Sequence, residues 1–221
     1  KLEEAEKSYR KAIALKPDFV DAHSNLASIF RDLGKLKDAE LSTRKAIELK
    51  PDFAEAHSNL GILLKDLGKP EEAEKSYRKA IELKPDFVDA HSNLASIFRD
   101  LGKLKEEFDC YVQIIELQPN YPNLYSRITT CLRDSNPSQL NNSNLKKIFN
   151  LLLKNTEVRH KELFWSFQFL YGNQIVSNQE KLDSDFKEIE IFSNENILEA
   201  LKKIIFKDIR LERILTKMRT K

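Results

Sequence analysis

No apolar run in the 221-residue sequence reaches the roughly 18–20 residues that a bilayer-spanning helix needs. Cysteine is scarce: Cys110 and Cys131 are the only two, and neither belongs to a C-x-x-C pair. That fits a reducing compartment better than a disulfide scaffold, with the cytoplasm as default. An excess of one charge is also lacking. Thirty-seven basic and 35 acidic residues leave a net charge of +2, so nothing electrostatic calls for nucleic acid or an anionic membrane as partner. Phosphate-cradling glycine loops, G-x-S-x-G and H-E-x-x-H are all missing. The expectation is a chain with no catalytic residues, no cofactor and no metal.

What the sequence does have is repetition. Glu3 to Lys37 and Glu71 to Lys105 agree at every place except Ala14 against Glu82, an offset of 68 residues. A looser copy lies midway, at an offset of 34, and the same period is marked by Gly34, Gly68 and Gly102 and by Pro17, Pro51, Pro85 and Pro119. Such a period signals stacked supersecondary units, because one unit cannot bury its apolar face alone. Each unit reads as two helices. From Val20, the residues Ala22, Leu26, Ala27, Ile29, Phe30 and Leu33 recur at helical spacing, and Gly34 supplies a left-handed terminator. From Leu36 a second helix carries Ala39, Ala46, Ile47 and Leu49, and Pro51 forbids its continuation. Alanines at 39, 46, 73 and 80 predict close antiparallel helix contact.

A 34-residue helix-turn-helix unit with Asn-Leu-Ala/Gly in its first helix, Gly at the turn, Ala in its second and Pro at the exit resembles the tetratricopeptide repeat. The stretch AHSNLGILLKDLGKPEEAEKSYRKAIELKPDF is most similar to repeats that precede the catalytic domain of O-linked N-acetylglucosamine transferases and their bacterial relatives. The resemblance implies an all-α fold, a right-handed α-α superhelix. It divides the chain into a half repeat over 1–19, whole repeats over 20–53, 54–87 and 88–121, and a different C-terminal region over 122–221. Lys1 falls inside the second helix of a repeat, so any leader peptide would lie outside this stretch.

The third repeat departs from the others: Glu107 stands where Ala39 and Ala73 stand, and Ile114 replaces Ala46 and Ala80. A charge at a close helix contact is costly unless it reaches solvent, so different packing is expected there. Over 122–133, Leu124, Ile128 and Leu132 share one helical face, and DSNPSQLNNSN after it reads as a loop. Further helices are predicted in NLKKIFNLLLKN, in RHKELFWSFQFLYG with Leu163, Phe164, Phe167, Leu170 and Tyr171 as an apolar stripe, and in NENILEALKKIIF and DIRLERILTKMRTK. The span 177–192 is either helical or irregular. These helices are read as a cap on the last repeat or a joint to a further domain. LEALKKIIFKDIRLERILTKMR resembles the segment that joins repeats to a methyltransferase-like or other transferase domain in some bacterial proteins.

The candidate chemistry is a binding surface. His23, His57 and His91 recur one repeat apart, too far to share an ion at helix packing distances of about 8–10 Å, and are read as interface fillers. Asn25, Asn59 and Asn93 occupy one place in three first helices, and in the transferase repeats this residue lines the inner surface. Asparagine both donates and accepts, so it can pair with the N–H and C=O of a bound peptide whatever its sequence; the alternative is that it bonds a neighbouring helix and aids stacking. Around it the same face is expected to present Ser24, Ser28, Arg31 and Asp32, then Ser58, Lys65 and Asp66, then Ser92, Ser96, Arg99 and Asp100. The lysine-and-asparagine clamp with which some tetratricopeptide modules grip chaperone tails is not matched, since serines stand in its places. The expected partner is therefore a protein or extended peptide. Two alternatives are the substrate-recruiting part of a transferase whose catalytic domain lies beyond residue 221, and a structural spacer or a unit that self-associates through open repeat ends.

Overall fold

The computed structural model describes residues 1–155 and 158–172, together with the single positions Ala200 and Lys203. It divides into two compact units, Lys1–Gln118 and Pro119–Lys221.

The first unit is a run of seven helices: α1 (Leu2–Leu15), α2 (Val20–Asp32), α3 (Leu36–Leu49), α4 (Ala54–Asp66), α5 (Pro70–Leu83), α6 (Val88–Asp100) and α7 (Leu104–Leu117). Each packs on the next, and α4 also touches α6, as expected of a superhelix of stacked pairs. The turns follow from glycine. Gly34, Gly68 and Gly102 adopt φ of 72°, 73° and 69°. At the first of these, Gly34 N–H donates to Arg31 at 2.9 Å and Lys35 N–H to Phe30 at 2.8 Å, closing the α2 carbonyls before α3 begins. Pro70 opens α5 at the position where a missing N–H costs nothing.

Alanine then sets the spacing within pairs. Ala39, Ala46, Ala73 and Ala80 are all 0% exposed, and Leu26, Phe30, Ala39 and Leu63 form one buried cluster. Between α4 and α5 the approach is closer still. A Cβ built on Gly61 would lie 2.7 Å from Tyr77 Cε1, and that ring, 1% exposed, has no open space to move into. Gly61→Ala is expected to destabilise by about 1 kcal/mol net, overpacking costs of about 1–3 kcal/mol being partly offset by helix propensity. A thermal midpoint that stays level or rises would show that the Tyr77 ring yields.

Ion pairs repeat with the helices. Glu6 accepts from Arg10 at 2.9 Å and from Lys35 at 2.8 Å, and Glu74 from Arg78 at 2.9 Å and Lys103 at 2.7 Å. Glu40 pairs likewise with Arg44 at 2.7 Å and Lys69 at 3.7 Å. Each lysine here comes from the turn inside the next repeat, so the pairs link successive repeats. Hydrogen bonds from Lys35 and then Arg10 hold the Glu6 carboxyl below its ordinary value of 4.5. At Glu74 burial pushes upward, but the bonds from Lys103 and Arg78 outweigh it and the carboxyl is again lowered. A carboxylate lowered on folding contributes stability present above its unfolded value and lost as pH falls through its folded one. The melting midpoint should therefore decline as pH drops below about 4.5, and less steeply in Glu74→Gln. Identical slopes in melts of the two proteins would remove Glu74 from that account.

In the third repeat the expected repacking takes a definite form. Glu107 does not reach solvent: it is 0% exposed, and accepts from Arg99 Nε at 2.8 Å and from the Tyr111 hydroxyl at 2.8 Å. Ile114, also 0% exposed, fills the second alanine site. Both donors meet Oε1, while Oε2 is buried with no hydrogen-bond partner among the described residues.

The second unit opens with α8 (Leu124–Asp134), whose Leu124, Ile128 and Leu132 are buried as one face. The loop read after it contains a 3₁₀ turn at Pro137–Gln139, and its end already starts α9 (Asn142–Lys154), capped by Asn141, which accepts from Asn144 N–H at 3.0 Å. The aromatic stretch is not one regular helix. It runs through a 3₁₀ turn (His160–Leu163), a single α turn, α10 (Phe164–Phe167), and a π turn (Gln168–Gly172). Leu163, Phe164, Phe167 and Tyr171 are buried and Leu170 half-buried. Rings of Phe149, Phe167 and Tyr171 lie 5.7–6.2 Å apart and make the centre of this core. The helices predicted in NENILEALKKIIF and DIRLERILTKMRTK, and the span 177–192, lie outside the described residues apart from Ala200 and Lys203.

Candidate peptide-binding surface

Three helices, α2, α4 and α6, carry the asparagine positions. In each, the following leucine (Leu26, Leu60, Leu94) is 4–6% exposed and anchors the helix inward, which turns the asparagine toward the rim of that face. Asn25 is exposed and Asn59 and Asn93 are half-buried. Among the described residues their side chains make no hydrogen bond to another protein group, whereas other polar side chains of the same helices do.

The charged positions about two turns further along are tied across repeats. Lys65 on α4 donates to Ser96 Oγ at 2.6 Å and pairs with Asp100 at 3.2 Å, both on α6. These three residues therefore share one surface. Arg31 lies 3.8 Å from Asp32 of its own helix. The Tyr77 hydroxyl is raised above its ordinary value by burial first and then by Asp66, with Arg31 opposing.

Not every expected residue joins this surface. Ser58 and Ser92, 4% and 6% exposed, are buried between helices. Ser24 is half-buried, and Ser28 donates to the Ser24 carbonyl at 3.4 Å within α2. Arg99 belongs to the ion pair with Glu107 inside its own repeat, so the third repeat presents its cation differently from Arg31 and Lys65. The cause is the replacement of alanine by glutamate at 107, which offers a buried carboxylate from the paired helix α7.

The histidines have a specific partner that spacing alone did not reveal. His23, His57 and His91 place Nε2 at 2.9, 2.9 and 3.0 Å from the carbonyl oxygens of Pro17, Pro51 and Pro85. That nitrogen must carry the proton, and the ring fastens each first helix to the loop by which the preceding repeat exits. The signal available was the constant six-residue gap from proline to histidine. Among the described residues no three His, Cys, Asp or Glu side chains converge to hold a metal ion. Among those residues, too, no helix is long and apolar enough to cross a membrane.

Comparison with known proteins agrees with this architecture. A model described as tetratricopeptide repeat matches residues 54–87, a TPR repeat model matches 1–30 and 27–68, and a further tetratricopeptide repeat model matches 88–121. No curated protein matches the sequence. Among solved structures, MamA is 23% identical with a TM-score of 0.59, covering 71% of this chain and 89% of its own. YrrB, a TPR protein described as having an unusual peptide-binding site, is 16% identical with a TM-score of 0.58, covering 96% of this chain and 98% of its own. TTC0263, a thermophilic TPR protein of Thermus thermophilus, is 23% identical with a TM-score of 0.52, covering 59% and 73%. At these identities the structures speak to the fold, while the sequence models together span residues 1–121, and on that ground the chain belongs to the tetratricopeptide repeat family.

Proposed function

We propose that the repeats form a protein-interaction module that holds an extended peptide along the face of α2, α4 and α6 by its main chain. The observation carrying this reading is the asparagine ladder: Asn25, Asn59 and Asn93 recur at one register, exposed or half-buried and without a hydrogen-bond partner among the described residues, while their leucine neighbours turn inward. A carboxamide offers two donors and an acceptor, the complement of a peptide unit. Lys65, Asp100 and Asp66 beside the ladder give mixed charge, which suits a polar segment over a strongly charged one. The fold shared with YrrB, which has a peptide-binding site, supports the same use.

Were the array joined to a transferase, as its resemblance to the O-linked N-acetylglucosamine transferase repeats implies, the groove would recruit the substrate by the same contacts. The test is binding of the purified chain to a peptide array at two salt concentrations. Broad recognition of extended peptides, changing little between about 0.05 and 0.5 M salt, is expected of main-chain contacts. Binding confined to one highly charged motif and lost at high salt would contradict it.

A further inference from the structure

A second groove, of about 400 Å³, lies between α5 and α7 and is floored by Leu94 and Phe98 of α6. Its far wall is the helix in which the copied sequence ends: identity with the first copy runs to Lys105 and stops at Glu106. Asp109, Cys110 and Gln113 on that wall stand where the second repeat has Lys75, Ser76 and Lys79. Two lysines have been lost and an aspartate gained at one groove. Of the other charges nearby, Arg78 is engaged by Glu74 at 2.9 Å and lies over the Phe98 ring at 5.2 Å. Lys103 lies over the same ring at 5.8 Å but is engaged by Glu74 at 2.7 Å, Glu82 pairs with Lys79 at 2.8 Å, and Lys105 is the cation that acts on Asp109. Glu106 and Asp109 thus give the opening its negative charge above an apolar floor.

We propose that this groove docks a partner-protein segment pairing an aliphatic side chain with an adjacent lysine or arginine. The aliphatic group packs on half-buried Ile81 at the edge of the nearly closed Leu94 and Phe98 floor, and the cation meets Asp109 and Glu106. Charge complementarity selects the cation, and the apolar floor selects its neighbour. Burial first raises the Asp109 carboxyl, a cost that a bound cation relieves. Burial also pushes the Cys110 thiol up to about 12, so it serves as neutral apolar lining rather than as a nucleophile. This groove is separate from the asparagine face, and the two can fail independently.

The test is titration of the ¹⁵N-labelled full chain with the peptide Ac-Leu-Leu-Lys-NH₂, with Ac-Leu-Leu-Glu-NH₂ and ethylammonium as controls. Saturable shifts centred on Leu94, Asp109 and Gln113 are expected, weakened at least about tenfold in D109K/Q113K, which restores the residues of the second repeat. Should that variant lose its helical spectrum, E106Q/D109N is read instead. Shifts centred elsewhere, equal response to the acidic peptide or to ethylammonium alone, or affinity unchanged in the variant would each overturn the proposal.

Discussion

Glu107→Ala is expected to lower unfolding stability by about 2–4 kcal/mol, although alanine is the residue that the first two repeats carry at this place. Three losses combine. The Arg99 guanidinium and the Tyr111 hydroxyl each lose a partner at 2.8 Å, and the vacated volume is not refilled, since Phe108 and Ile114 are already packed at 0% exposure. Arg99 is about a third exposed and can turn to water, which keeps the cost below that of a fully buried orphan charge. Glu107→Gln retains shape and one acceptor and should cost about half as much. Chemical denaturation of the variants measures both. A change under about 0.5 kcal/mol for Glu107→Ala would show that the pair only balances its own desolvation.

The second large effect is on binding. Changing Asn25, Asn59 and Asn93 together to alanine should weaken peptide affinity by about 2–4 kcal/mol, at roughly 0.5–1.5 kcal/mol for each lost hydrogen bond. Stability should hold or rise slightly, because the amides make no hydrogen bond within the described protein and alanine is the better helix former. Peptide sequence preference should change little. Isothermal titration with the best array peptide, set beside thermal melting, separates the outcomes: a fallen melting midpoint would reassign the asparagines to stacking between repeats.

Much of the fold was legible because it is written several times. Gly34, Gly68 and Gly102 could be assigned left-handed turns from period alone, and their φ values near 70° follow. The alanine contacts were equally plain, since a small residue recurring at one register marks a place where two helices leave room for nothing larger. Legibility failed where the copies diverge. Glu107 marked a change of packing without showing its form, because that form depends on Arg99 eight residues away and on a tyrosine one turn along, a combination present in one repeat only. Ser58 and Ser92 looked like surface groups because hydroxyls tolerate either environment, and packing rather than polarity decided for the interior. The aromatic run at 160–172 carried helical spacing but broke into 3₁₀, α and π turns, since Leu163, Phe164, Phe167 and Tyr171 are all drawn into one core beside Phe149.

The central claim is that the asparagine ladder grips peptide main chain. It is tested most directly by following the side-chain amide resonances of Asn25, Asn59 and Asn93 in the ¹⁵N-labelled chain as the best array peptide is added. All three pairs of NH₂ signals should shift together, saturate at one affinity, and shift again when the peptide's side chains are varied but its length is kept. Saturable binding that leaves these three amides unmoved would contradict the account.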